Sequence, residues 1–475
     1  MHVLIIGAYG SAGVAVAEGV IDRVGTEIDR LTLVDDGEPG GGLCILRGCM
    51  PSKEVLSAAS HRYRVRADDR LDGDPPSIDL DRVVDRKNDH VLGFAEHRRA
   101  TVHDMAETDG VEFLFETARF VGDRILEIGE GTYEPDYVVI ATGSTPYVPD
   151  LPGIDTVEYM TSADVLDATE LPDSGIVMGF GYVGLELAPY LVEAGVEELT
   201  VIEHDARPID EADPAFGDEL LAIYREEFGI EILTHTREQR VESTDEGVRL
   251  HVESDEDATG ASVPDAIEAE TLFVFTGRRP NVDRLGLEST DLDPTGRWVS
   301  PTMQAIDDER VFVVGDANGH EPILHVAKEQ GYLAAENIRS HARDEPLRPY
   351  ENVHHHVIFS GASVFPFVRV GDTPASAEAA GHEVVTATRW ASDDGVFRVK
   401  DVPHGLARLA VDADTGTVLG YQGLHAHADT IAKTMQVIVE NEMDVREIPD
   451  RAYHPTLPEI LDGLVRETAA AVADR

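Results

Sequence analysis

Two cysteines occur in the whole sequence, Cys44 and Cys49, with Ile45, Leu46, Arg47 and Gly48 between them. Such a pair is half of a zinc site, a structural disulfide or a redox couple. Two thiols alone do not complete a zinc site. The candidate extra ligands, His354, His355 and His356, form a run in a polar stretch that reads as solvated, so no metal is expected. Ideal helix geometry sets residues five apart about 7.5 Å along the axis, beyond the usual disulfide reach. Pairing therefore needs an irregular segment, which Gly48 and Pro51 permit. A structural disulfide is disfavoured in a cytoplasmic protein. A cysteine at a helix N-terminus gains thiolate character from the partial positive charge there. The better reading is a redox-active pair.

Thiol–disulfide exchange also needs a base near neutral pH, and His454 with Glu459 supplies the right types: an imidazole to move the proton and a carboxylate to orient it. Taken alone, His454 reads as a surface histidine beside a helix-starting Pro455.

Glycine loops mark where a dinucleotide would sit. The run Gly179-Phe180-Gly181-Tyr182-Val183-Gly184 follows an apolar strand-like stretch, and Glu203 ends the next one, 19 residues beyond Gly184. Glycines there allow a tight turn and close approach of a pyrophosphate, and the acid bonds the ribose hydroxyls. An acid favours NAD over NADP, while Arg207 keeps NADP as the minority alternative. The first loop, Gly7 to Gly13 with Gly10 between, is one residue longer than the usual fingerprint, but Asp35 stands at the following strand end.

These motifs need parallel sheets beneath them. Strand, glycine turn, helix and strand recur from His2 and again from Gly175, so the expected fold class is α/β with two Rossmann-like dinucleotide-binding domains. Residues 54–109 read as a charged helical excursion and 241–270 as a small β excursion. Tyr137–Gly143 reads as a buried strand ending at a glycine. After about residue 346 the pattern becomes hairpins and an amphipathic helix around Ile431, Met435 and Ile438, an α+β region.

Composition bounds the partners. Lys and Arg number 39 against 91 Asp and Glu, a net charge of −52, with 42% hydrophobic residues to build a core. So negative a surface is repelled by nucleic acid and by anionic membranes. No apolar run is long enough to span a bilayer and no leader is recognisable, so a cytoplasmic location is expected. Excess acid and only five lysines suggest a salt-rich, halophilic interior, where self-repulsion is screened.

Gly40–Lys53 (GGGLCILRGCMPSK), Ala141-Thr142-Gly143, GFGYVGLE, Thr276–Asn281 (TGRRPN), Val313–Gly319 (VVGDANG) and His454–Glu459 (HPTLPE) follow one another in order. Together they resemble the FAD-dependent pyridine nucleotide–disulfide oxidoreductases, the family of dihydrolipoyl dehydrogenase, glutathione reductase and mercuric reductase. The resemblance implies an FAD-binding domain from 1–150 and 272–346, an NAD-binding domain at 151–271 and a C-terminal dimerisation domain at 347–475. It implies FAD on Gly7, Gly10, Gly13, Asp35, Thr142, Gly143, Asp316 and His325, with Lys53 beside the flavin and paired with Glu186. It implies NAD on Gly179, Gly181, Gly184, Glu203 and Gly277. Cys49 would be the thiolate against the flavin and Cys44 the thiol that meets substrate. His454 and Glu459 would serve the other subunit of a homodimer with shared active sites.

Ser52 before Lys53, together with Glu203, resembles dihydrolipoyl dehydrogenase more than glutathione reductase, and a tail without cysteine argues against mercuric reductase. The expected substrate is a small dithiol or disulfide, with a lipoyl-bearing complex as one source. Arg47 and the lengthened first loop are departures that leave bis-γ-glutamylcystine as an alternative substrate. The non-enzyme alternative is a flavin-binding assembly or regulatory subunit.

Overall fold

The computed structural model describes residues 1–255, 263–449, 451 and 453–474. It divides into two compact units. The first is Met1–Lys53, Asp85–Tyr147 and Arg278–Asn352; the second is Glu54–Val84, Val148–Gly277 and Val353–Arg475.

The first unit is built on β1 (His2–Ile6), α1 (Ser11–Val20) and β2 (Arg30–Val34). β1 lies at the centre of a five-stranded parallel sheet. It pairs with β2 on one side and with the strand Tyr137–Ile140 on the other. β3 (Val111–Leu114) and the strand Val311–Val313 form the edges. Val3, Leu4 and Ile5 are fully buried, as a strand covered on both faces requires. α1 is rich in small residues because the helix Leu324–Ala342 packs tightly on it. A Cβ at Gly331 would lie 2.6 Å from the Ala12 carbonyl oxygen. Three helices follow β2 in sequence: α2 (Gly42–Leu46), α3 (Cys49–Ala67) and α4 (Leu80–Ala106).

The second unit repeats the plan around the central strand Ser174–Met178 and the helix Tyr182–Ala194. Its parallel sheet also has five strands. The expected β excursion is a three-stranded antiparallel sheet of Thr236–Thr244, Gly247–Ser254 and Ala266–Ala269, while residues 256–262 lie outside the described residues. The same unit holds a five-stranded antiparallel sheet in which Gly405–Asp412 pairs with Val418–His425. The helix Ala428–Glu440 buries Ile431, Met435 and Ile438. The α/β class with two Rossmann-like sheets and a C-terminal α+β region is thus the observed one.

One expectation fails. The histidine run is not simply solvated: His356 is buried within the strand His355–Ile358. Its ring packs near Tyr182 and Phe367, and its Nδ1 lies 2.8 Å from His354 Nε2. Strand alternation turns it inward where a run of like residues suggested only exposure.

Candidate active site

The cysteine segment is irregular where it has to be. α2 ends at Arg47, whose φ of −143° is not helical, and α3 begins at Cys49. Gly48 bridges the break: a Cβ there would sit 3.1 Å from Leu43 O and 3.2 Å from Cys44 Cα. Pro51 falls in the first turn of α3, where the missing N–H costs nothing. The break brings the two sulfurs into hydrogen-bond contact. Cys44 is half-buried and Cys49 exposed at the positive end of α3. The Cys44 thiol is pushed up first by its hydrogen bond to Cys49 Sγ and then by burial. The Cys49 backbone N–H and the Arg98 guanidinium act in the opposite direction. A proton shared in this way sits on Cys44 and leaves Cys49 as its acceptor. Lys53, half-buried one turn further along α3, donates to Ser52 Oγ at 3.2 Å.

The first glycine loop forms a floor that a dinucleotide fits. Gly7 has φ of +91°, and a Cβ there would lie 2.4 Å from Ala141 O. A Cβ at Gly13 would lie 2.2 Å from Gly7 O, so α1 closes directly onto the strand end. Gly10 caps α1 and turns its N-terminal amides toward the loop. Asp35 accepts the N–H groups of Tyr9 and Gly37, each at 2.8 Å. Burial raises its carboxyl above the usual range, and those two hydrogen bonds oppose the rise. Thr142 Oγ1 is buried without a hydrogen-bond partner among the described residues, beside Gly143 at φ +69°. That unmatched hydroxyl and the glycine floor fit a polar ligand crossing this sheet end. Asp316 accepts from Ser144 Oγ at 2.6 Å, and Arg278 Nε donates to the same hydroxyl at 2.9 Å. His325 lies half-buried in the first turn of the helix Leu324–Ala342.

The second loop has the regular form. Gly179 is at φ +95°, and a Cβ at Gly184 would sit 2.3 Å from Gly179 O. At Gly181 the backbone is ordinary, with φ of −73°, and a Cβ would meet nothing within 4 Å. Nothing inside the fold requires glycine at that position. Glu203 stands just after the strand Glu198–Ile202, its carboxyl raised by burial, and accepts the Asp205 N–H at 2.9 Å. Gly277 has φ of +96° at the end of the neighbouring strand segment. Arg207 is ion-paired with Asp218 at 2.7 Å. Glu186, on the helix after this loop, accepts the Phe359 N–H at 3.1 Å.

In the same unit His454 and Glu459 meet: Nδ1 lies 3.1 Å from one carboxylate oxygen and 3.2 Å from the other. Glu459 opens the helix Glu459–Ala473 and also accepts the Thr456 N–H at 2.9 Å. That bond and the imidazole hold its carboxyl below the usual range. The His454 side chain is 76% exposed, so its Nε2 edge is presented outward.

Sequence reasoning passed over Tyr9, Arg98 and Ser144. Tyr9, the residue that lengthens the first loop, is 2% exposed and stacks near Phe113, with its hydroxyl 2.8 Å from His103 Nε2. Gly40 is tolerated only without a side chain because a Cβ would lie 3.3 Å from the Tyr9 ring. The inserted residue is thus absorbed into the core beneath the loop. The extra position between Gly7 and Gly10 was the one signal that pointed to it.

Two dinucleotide floors and a vicinal thiol pair define a flavoprotein-type disulfide oxidoreductase. The chain belongs to the pyridine nucleotide-disulphide oxidoreductase family, whose model matches residues 1–331, with the family's dimerisation domain matching 361–464. It is accordingly an FAD-dependent NAD(P)H–disulfide oxidoreductase. Dihydrolipoyl dehydrogenase 2 of Haloarcula marismortui is 29% identical over 464 residues, covering 94% of this chain and 92% of the relative. Mercuric reductase of Streptomyces lividans is also 29% identical, over 429 residues, covering 88% and 86%. Among solved structures, the HOCl-induced flavoprotein disulfide reductase RclA from Escherichia coli superposes with a TM-score of 0.80 at 21% identity, covering 98% of this chain and 99% of that one. Among the described residues no helix is long and apolar enough to cross a membrane.

Proposed function

We propose that the protein is an NAD-linked, dihydrolipoyl dehydrogenase-like dithiol–disulfide oxidoreductase. It would act as a cytoplasmic homodimer with shared active sites in a salt-rich cell. The observation that carries this is the Cys44–Cys49 contact at the α2–α3 break, with Cys49 at the positive end of α3. Bound FAD would supply the two-electron link between this pair and the nicotinamide.

A substrate thiolate attacks Cys44 of the oxidised pair; the Cys44–Cys49 bond breaks and Cys49 leaves as thiolate, stabilised by the helix terminus. The second substrate thiol then displaces Cys44, closing the substrate disulfide. His454 of the partner subunit takes the released proton, and Glu459 of the partner subunit orients its imidazole and balances its charge. Lys53 and Glu186 would pair beside the flavin, with Asp35, Thr142, Gly143, Asp316 and His325 holding FAD. Gly179, Gly181, Gly184, Glu203 and Gly277 would hold NAD. Preference for NAD rests on Glu203, whose carboxylate opposes a 2′-phosphate, and on Arg207 being occupied by Asp218. The three domains would divide near residues 150, 271 and 346.

Names of relatives do not choose the substrate, since dihydrolipoyl dehydrogenase and mercuric reductase match at equal identity. Ser52 and Glu203 favour the dithiol reading. A turnover panel in molar salt tests it: lipoamide, bis-γ-glutamylcystine, oxidised glutathione and Hg²⁺, each with NADH and NADPH. Lipoamide with NADH is expected to turn over fastest. Turnover of bis-γ-glutamylcystine or Hg²⁺ alone would overturn the substrate assignment.

A further inference from the structure

α4 holds Arg98 half-buried, where a charge is costly. In the first unit its inward stripe runs through Lys87, Val91, Ala95, Arg98 and Val102, at helical spacing, and all but Arg98 are buried. Val91 and Ala95 pack on Ile45 and Leu46 of α2, the helix that carries Cys44. A Cβ at Gly41 would lie 3.3 Å from Ala95 Cα, so the two segments touch at backbone distance. One turn beyond Ala95, the half-buried Arg98 donates Nη1 to the Tyr9 carbonyl at 3.2 Å. Arg99 donates to the Pro39 carbonyl at 3.3 Å. Arg99 therefore holds the backbone that leads into the cysteine helix, and Arg98 holds the glycine-loop carbonyl that lies against the start of that helix, 3.4 Å from where a Cβ at Gly42 would sit.

Tyr9 O takes one of the five N–H donors of Arg98, and no carboxylate is ion-paired with it among the described residues. Burial lowers the Arg98 guanidinium, an effect opposed by Cys44 and by Glu18 on α1. Two groups act electrostatically on Cys44 from neighbouring helices: Cys49 from α3, which disfavours its thiolate, and Arg98 from α4, which favours it.

We propose that Arg98 is a positioning residue for thiol–disulfide exchange, holding the Cys44 segment in place and stabilising the Cys44 thiolate. This rests on the reading of Cys44 as the thiol that meets the substrate. In the disulfide-reducing direction, the Cys44 thiolate forms a bond to one substrate sulfur as the substrate S–S bond breaks. The departing thiolate takes up a proton, and the Cys49 thiolate then displaces the bound sulfur. NADH is the electron donor that returns the pair to the dithiol. Cys49 opposes the first step by competing for the charge, and Arg98 acts against that competition.

The test is the pH dependence of Cys44 alkylation by iodoacetamide in the holoenzyme, reduced with dithiothreitol in molar salt. Trypsin cleavage after Arg47 separates Cys44 from Cys49, so mass spectrometry reads each thiol alone. In Arg98→Gln the Cys44 midpoint is expected to rise, lowering its alkylation rate at pH 7 about ten-fold, the effect of one pH unit. FAD content should be unchanged, and Arg98→Lys should restore most of the rate. An unchanged midpoint, an equal loss in both variants, or release of FAD would each overturn the proposal. The last outcome would make Arg98 an anchor for the cofactor. Reduction by dithiothreitol keeps this result separate from failure of the enzyme to accept electrons from NADH, which is read on the wild type.

Discussion

Glu459 holds His454 with both carboxylate oxygens, at 3.1 and 3.2 Å from Nδ1, and is itself fixed by the Thr456 N–H. The imidazole is thereby oriented with its other nitrogen outward. Because the Glu459 carboxyl is held low, it stays ionised at pH values below its usual titration range and loses its hold on His454 only as pH falls through that lowered value. His454→Gln is expected to cut disulfide turnover by about 10²–10⁴-fold. NADH oxidation by ferricyanide, which needs no thiol proton transfer, should be nearly unaffected. Equal loss of both activities would place His454 outside the exchange step.

Glu203 makes a prediction of opposite sign for stability and binding. Burial raises its carboxyl, so the folded state favours the proton and stability contributed there is lost as pH rises through the raised value. Glu203→Gln should therefore melt no lower, and preferably higher, than wild type at neutral pH. It should also bind NADH about ten-fold more weakly, the loss of one hydrogen bond to a charged group. Thermal melts and nucleotide titration read the two effects. Unchanged affinity would remove Glu203 from the ribose site.

The glycines of the second loop separate folding from binding. Gly184→Ala drives a Cβ to 2.3 Å from Gly179 O and should destabilise the protein by about 1–3 kcal/mol. Gly181→Ala meets nothing within 4 Å and should leave the denaturation midpoint unchanged while raising the KM for NADH. If Gly181→Ala binds NADH normally, the phosphate does not approach there.

Much of this was legible because backbone chemistry writes itself locally. Positive φ and close approach demanded glycine at Gly7, Gly179 and Gly184, and Gly48 and Pro51 permitted the helix break that pairing of the cysteines required. Partnerships far apart in sequence were not legible. Arg62 and Arg66 of α3 close on the fully buried carboxylate of Glu193, yet in sequence they look like two more charges on a charged helix. Arg98 was hidden in the same way among α4's many ionic residues. Tyr9 showed only as an extra residue, with no hint that its ring packs under Gly40.

The net charge of −52 predicts salt dependence independent of the chemistry. Screening falls as the Debye length grows from about 3 Å at 1 M toward 30 Å at 0.01 M. Dilution from molar to tens of millimolar KCl should unfold the protein, seen as loss of circular dichroism and release of FAD fluorescence. A protein equally stable at both concentrations would overturn the halophilic reading and leave the redox assignment standing.

The most direct test of the redox assignment is a thiol count before and after NADH. The purified, oxidised holoenzyme is treated with iodoacetamide in molar salt, with and without stoichiometric NADH, and each cysteine is read by mass spectrometry. The expected result is no label at Cys44 or Cys49 before NADH and label at both afterwards, with neither change in Cys44→Ser. Labelling of both thiols to the same extent with and without NADH would contradict the assignment of Cys44 and Cys49 as the redox couple.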